Sequence, residues 1–86
     1  MFEFDPKKSE SNRLKHGIDF IQAQQLWEDA SRVVLEARTV DEKRYLLIAL
    51  FDERIWSAIY TVRNNSIRII SVRKSRENEK EIYYSI

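Results

Sequence analysis

Residues 44–73, RYLLIALFDERIWSAIYTVRNNSIRIISVR, decide the fold. Arg44–Phe51 is nearly all apolar, as expected of a central strand covered on much of both faces. Asp52-Glu53 turns the chain, and Ile55–Arg63 reads as the next strand, rich in Ile, Trp, Tyr, Thr and Val. Asn64-Asn65 suits a two-residue hairpin loop, because asparagine tolerates positive φ better than other non-glycine residues. Ile67–Arg73 is the returning strand. With those loop residues Arg63 opposes Ser66, and Arg68 lies beside Thr61 and Val62. Upstream, residues 32–38 (RVVLEAR) carry a period of two and read as a further strand, with Thr39-Val40-Asp41-Glu42 as the turn after it. Four sequential strands joined by short polar turns predict an antiparallel meander.

Working outward, Phe2-Glu3-Phe4 alternates apolar and polar before Pro6, which suits a short leading strand or an extended arm. Lys8–Lys15 is a first helix closed by Gly17. Asp19 caps a second helix whose apolar side is Phe20, Ala23, Leu26 and Trp27, ending near Asp29–Ser31. Ser75 caps a last helix, Arg76–Tyr84, with Glu79 and Tyr83 on one side. The expected fold class is α+β: N-terminal helices, a four-stranded antiparallel sheet with room for a short extra N-terminal strand, and a C-terminal helix.

Length and composition bound the function. Eighty-six residues hold one hydrophobic core, so residues 1–86 are expected to form a single domain. The chain has no cysteine and one histidine, which excludes a disulfide scaffold and a thiolate zinc site and disfavours a histidine-rich metal site. Composition leaves carboxylate-only magnesium binding open, and the expectation is no metal and no cofactor. The longest apolar run, Leu46–Phe51, is six residues against the roughly 20 a membrane helix needs. The N-terminus carries acid where a secretory leader has lysine, so a cytoplasmic location is expected. The formal charge of +1 says nothing of nucleic acid, yet Arg63, Arg68, Arg73, Lys74 and Arg76 crowd into fourteen residues without an acid among them. Such a cluster is either a phosphate surface or the solvated side of a strand pair.

Two groups of side chains suit chemistry. Lys15-His16 puts an imidazole, the proton carrier of neutral pH, next to an ammonium that attracts phosphate; a histidine before a helix-ending glycine is equally a C-cap. Arg63, Arg68 and Arg73 offer guanidinium forks that clamp phosphodiester oxygens. Strand parity puts Arg68 and Lys74 on one face and Ser71 and Arg73 on the other, with Arg63 and Arg73 at different ends of the ribbon. If the substrate is RNA, its own 2′-hydroxyl is the nucleophile, so a base, an acid and a charge clamp suffice without metal. Trp56 reads as core, and Tyr60, beside Arg63, as the more open candidate for a proton donor. Glu36 reads as a charge on a solvated edge strand.

Taken together, Phe4-Asp5-Pro6-Lys7-Lys8, the block Asn12-Arg13-Leu14-Lys15-His16-Gly17-Ile18-Asp19-Phe20, Trp27-Glu28-Asp29, Arg68-Ile69-Ile70-Ser71-Val72-Arg73-Lys74-Ser75, and the closing Glu79 with Tyr83 resemble the BrnT family of toxins. The resemblance implies a RelE-like fold, metal-independent endoribonuclease activity that arrests growth, and a BrnA-type antitoxin. That antitoxin's dimerisation implies a complex with two copies of each protein, in which operator DNA is read by the antitoxin alone. The family pattern carries onto Lys15, His16 and Gly17 and onto Arg68, Ser71 and Arg73, with Tyr60 and Arg63 on the strand leading in. Two departures are Phe4 where a tryptophan is common and Asp52-Glu53-Arg54 where a turn glycine is common, making a tight glycine turn unavailable. The resulting expectation is a catalytic set of His16, Arg63, Arg73 and Tyr60. Arg63 and Arg73 hold the phosphate and His16 or Tyr60 moves the proton, while Lys15, Arg68 and Lys74 bind RNA. The rival is a non-catalytic antitoxin-binding or nucleic-acid-binding regulatory module.

Overall fold

The computed structural model describes residues 1–38 and 41–85. The Thr39-Val40 part of the anticipated turn lies outside the described residues. Element order is β1 (Phe2–Glu3), α1 (Pro6–His16), a 3-10 helix (Gln22–Glu28), β2 (Val33–Ala37), β3 (Arg44–Phe51), β4 (Arg54–Arg63), β5 (Ser66–Lys74) and α2 (Glu77–Tyr84). The α+β class and the β2-to-β5 meander match the sequence expectation. The sheet itself has five strands in the order β1-β5-β4-β3-β2 and is mixed, not four-stranded and purely antiparallel. β1 runs parallel to β5, with Phe2 opposite Ile67 and Glu3 opposite Arg68. It is held there by the Ile67 N–H donating to the Met1 carbonyl at 2.8 Å. Phe2 packs edge-on to Trp27 at 5.0 Å and Phe4 edge-on to Phe20 at 5.8 Å.

Three helix details also differ from expectation. The second helix is 3-10, not α: its buried residues Ala23 and Leu26 are three apart, and three residues per turn stack them on one line facing the sheet. Its N-cap position is Ile21, without a side-chain cap, and not Asp19, whose Oδ1 instead closes the turn leading in by accepting from the N–H groups of Ile21 and Gln22 at 2.9 and 2.7 Å. The last helix is capped at Arg76, not Ser75, because the Glu79 carboxylate reaches back to the Arg76 N–H at 2.8 Å. The Ser75 hydroxyl is instead 2.7 Å from that of Ser57.

The helices cover the two faces of the sheet unequally. On one face Phe20, Ala23 and Leu26 pack over Leu47, Ala49, Trp56, Ala58, Tyr60, Ile69 and Val72. The other face has a smaller cluster, Val33, Ile48 and Ile55 under Ile82 and Tyr83 of α2. Beyond the reach of that helix the second face is open: Ile59 is only partly buried and Ser71 is exposed. Both β-turns are two-residue loops with positive φ, 50° and 66° at Asn64-Asn65 and 52° and 63° at Asp52-Glu53. The chain therefore turns at Asp52-Glu53 as the sequence suggests, and does so without the glycine common at that place. The cost is a left-handed conformation at two residues with a Cβ.

Asn12 fixes α1 to β5. Its side-chain amide donates to the Val72 carbonyl and accepts from the Val72 N–H, at 2.8 and 3.1 Å, as a neighbouring strand would. The same amide donates to the Ile18 carbonyl at 2.8 Å, anchoring the chain after Gly17, whose φ of 80° ends the helix. Asn12→Ala removes these bonds and strands three backbone groups at a buried edge, so it is expected to destabilise the protein by about 2–4 kcal/mol. Urea unfolding measures this; a loss near zero would show that water replaces the amide.

Candidate functional site

The side chains of β5 do not alternate as simple parity predicts. Ser71 pairs with Ile59 and Ile69 with Tyr60, so Ile70 is an extra residue in a β-bulge. The bulge reverses the phase of the strand: Ile69 and Val72 both enter the larger core, while Arg68, Ser71 and Arg73 share the open face. Lys74 is thereby on the face opposite Arg68, correcting the sequence expectation that the two lie together. Its side chain lines a cleft of about 280 Å³ with Glu53, Arg54, Ile55, Lys80 and Tyr84.

The same ladder separates Arg63 from Arg73. Arg73 pairs with Ser57 and Arg63 lies six positions further along β4, about 20 Å at roughly 3.3 Å per residue. Each is also held by its own carboxylate, Arg63 by Glu42 at 3.2 Å and Arg73 by Glu79 at 2.8 Å. The joint phosphate clamp expected of them does not form. Tyr60 is likewise not the open residue anticipated. It is 8% exposed, stacked on Tyr45 at 5.3 Å and edge-on to Trp27 at 5.2 Å. Burial, with Tyr45 beside it, raises its phenol above the ordinary range. Trp56 is core, as the sequence suggests, its Nε1–H donating to the Phe51 carbonyl at 3.1 Å.

Lys15 and His16 sit in the last turn of α1, where Asn12 presses the helix against the β5 edge. Together with Lys8, Ser11, Asn12 and Ile70 they line a cleft of about 170 Å³. Lys8, Ser11 and Lys15 recur at helical spacing on one side of α1, and the bulged Ile70 forms the opposite wall. No carboxylate lines this cleft, and Lys8 and Lys15 form no ion pair among the described residues. The larger cleft beside Lys74 mixes Glu53 with its cations and contains no imidazole. We therefore take the smaller one as the candidate site. Lys8 and Ser11 were not singled out from sequence; their spacing to Lys15 was the available signal. Among the described residues no three His, Asp or Glu side chains gather in a way that suits a metal ion.

On the open face, Glu79 organises a second cluster. Its carboxylate, 6% exposed, accepts from Arg73 Nη1 and Nη2 at 2.8 and 2.9 Å, from the Ser57 hydroxyl at 2.9 Å and from the Arg76 N–H at 2.8 Å. The Arg73 guanidinium, outweighing burial and helped by the Arg76 and Ser57 donors, holds Glu79 down at about 2. A neighbouring latch joins α2 to the end of the 3-10 helix: the Tyr83 hydroxyl donates to Asp29 Oδ2 at 2.6 Å. Burial and that bond push Tyr83 up to about 12. Arg68, 3.6 Å from Glu3, completes the row with Ser71.

With this geometry in view, comparison with known proteins is specific. A family model described as the ribonuclease toxin BrnT of type II toxin-antitoxin systems matches residues 4–79. The match spans α1, the whole β2-to-β5 meander and the first turn of α2, ending at Glu79. The chain belongs to this family of toxins. No match is found among curated proteins.

Glu79 predicts an acid limb in stability. Its folded-state value of about 2 lies below the ordinary 4.5, so its contribution is complete above about pH 5 and lost as pH falls through 4.5 towards 2. The shift corresponds to about 3 kcal/mol at most. Urea midpoints between pH 6 and 2 should fall, and Glu79→Gln should be less stable at pH 6 with a shallower fall; an unchanged slope would remove Glu79 as the cause.

Proposed function

We propose that this protein is a metal-independent endoribonuclease that cuts RNA in the cleft between α1 and the β5 bulge, arresting growth until an antitoxin blocks it. The observation that carries the reading is the convergence of Lys8, Ser11, Lys15 and His16 on one cleft free of carboxylates, in a chain of the BrnT family. A phosphodiester placed there meets the groups that transesterification needs. The RNA 2′-hydroxyl attacks the adjacent phosphorus and gives its proton to His16. The new 2′-O–P bond forms as the P–O5′ bond breaks, leaving a 2′,3′-cyclic phosphate. Lys8 and Lys15 offset the charge on the phosphoryl oxygens, and the leaving 5′-oxygen takes its proton from the Lys15 ammonium. The nucleophile belongs to the substrate, so the step needs no metal-bound water, and DNA is not cut.

From the cleft the RNA backbone passes over the β5 edge at Ile70 onto the open face, where Arg68 and Arg73 receive it. Arg63 serves the hairpin end through Glu42, Tyr60 serves the core, and Lys74 lies off the RNA path. The partner is a BrnA-type antitoxin in a complex of two toxins and two antitoxins, dimerised by the antitoxin, which alone contacts operator DNA. The toxin acts in the cytoplasm.

Purified protein, in excess EDTA, should cleave labelled single-stranded RNA. Folded His16→Ala should cut at least about 100-fold more slowly, the usual scale of a lost proton-transfer group. Tyr60→Phe should cut as the original does. Cleavage that persists in His16→Ala, or that appears only with added divalent metal, would overturn the mechanism.

A further inference from the structure

Arg73 has five N–H donors, and the fold uses three. Nη1 donates to Glu79 Oε1 at 2.8 Å and to the Lys74 carbonyl at 3.3 Å, and Nη2 donates once, to Glu79 Oε2 at 2.9 Å. The two donors left over among the described residues are Nε–H and the second Nη2–H. They lie on the same edge of the guanidinium and point in parallel, the arrangement that grips two oxygens of one phosphate. Arg63 shows this edge in use, its Nε and Nη2 both donating to Glu42 at 3.3 and 3.2 Å. On Arg73 the same edge makes no hydrogen bond among the described residues, and the side chain is 30% exposed.

Glu79 decides which edge is left. Its carboxylate is fixed from three further directions: by the Ser57 hydroxyl, itself 2.7 Å from the Ser75 hydroxyl, by the Arg76 N–H, and by burial at 6% exposure. A carboxylate this constrained takes the outer pair of Arg73 donors and holds the guanidinium plane still, so a ligand meets an ordered fork without the entropy cost of arranging a free arginine. Ser71 and Arg68 stand on the same face of β5, placed there by the bulge. The His16 cleft lies at the β5 edge, its wall Ile70 three positions from Arg73 and about 10 Å away along the strand.

We infer that Glu79 is a positioning residue that turns Arg73 into a phosphodiester subsite, separate from the cleft, which holds an RNA phosphate flanking the one that is cut. The inference rests on the RNA-cleaving reading for its ligand. It does not require that the cleft be the catalytic centre.

The test is equilibrium binding of a single-stranded 2′-O-methyl RNA oligonucleotide, which lacks the nucleophile and stays intact. Arg73→Lys keeps the charge but not the fork, and should bind about tenfold or more weakly. Glu79→Gln is the decisive variant. Removing a carboxylate makes the protein more basic, so a purely electrostatic or purely structural role predicts affinity that is equal or tighter. Loss of positioning predicts affinity several-fold weaker, with the fold checked by circular dichroism. Ser57→Ala, which frees one anchor of Glu79 and changes no charge, should weaken binding in the same direction.

Equal or tighter binding by folded Glu79→Gln, or no binding by the original protein, overturns the inference. Weakened binding without any cleavage by the original would sink the catalytic reading and leave the subsite standing. Cleavage that depends on His16, with binding unmoved in Arg73→Lys and Glu79→Gln, would sink the subsite alone.

Discussion

The amide of Asn12 is the contact on which the arrangement of the site depends. β1 covers β5 only at Ile67 and Arg68, so the remainder of that edge offers unpaired backbone groups. An open edge invites pairing with other chains, and an N–H or carbonyl buried there without a partner is costly. Asn12 meets both groups of Val72 with one side chain and ties the Ile18 carbonyl to the same point. Ser9 works alongside it, its hydroxyl accepting from the Phe20 N–H at 2.9 Å. These are the two buried residues of a helix whose one large apolar side chain, Leu14, is exposed, so α1 is docked by hydrogen bonds more than by apolar area. That mode of docking leaves Lys8, Ser11 and Lys15 facing outward over β5, where an apolar helix face would have been used up in packing.

Glu79 plays the corresponding part on the other face. α2 has eight residues, of which Glu79 is buried, and brings Ile82 and Tyr83 to the small cluster under it. A buried carboxylate is unfavourable unless it is fully bonded. Here Ser57, Arg73 and the Arg76 N–H supply the donors, and no buried side-chain polar atom is left without a partner among the described residues. One residue thus caps α2, joins it to β4 and fixes Arg73 on β5. Tyr83, bonded to Asp29, ties the same helix to the connection before β2.

Much of this was legible in the sequence because local rules set it. Asn64-Asn65 fixed the hairpin register, putting Arg63 opposite Ser66 and Arg68 opposite Thr61. What parity missed was one residue, the bulge at Ile70. Counting by two from Arg68 assigns it to the face of Lys74; the ladder shows Arg68 with Ser71 and Arg73. No residue type marks the bulge, since Ile69-Ile70 is a good strand sequence in either phase. It is selected by burial: Ile69 and Val72 are both needed in the larger core, and their odd spacing is satisfied only if a residue between them is skipped. The short β1 was suggested by Phe2-Glu3-Phe4, but its parallel pairing depends on Trp27 and Phe20 arriving from other elements. Tyr60 was misread because its polar neighbours Thr61 and Arg63 lie on the opposite face, which periodicity alone does not weigh against packing by Tyr45 and Trp27.

The near-zero net charge has a local explanation. Acidic side chains are placed on particular arginines: Glu10 on Arg13, Glu42 on Arg63, Glu3 near Arg68 and Glu79 on Arg73. Guanidinium suits this use, because a fork bonded on one edge still offers donors on another. An ammonium offers a single centre, and the lysines of the α1 cleft, Lys8 and Lys15, are left uncompensated among the described residues. The formal charge of +1 is therefore an average over ordered, partly neutralised arginines on the open sheet face and free lysines at its edge. At short range it is the separate geometry of these two kinds of cation, more than the net charge, that sets the local field at this surface.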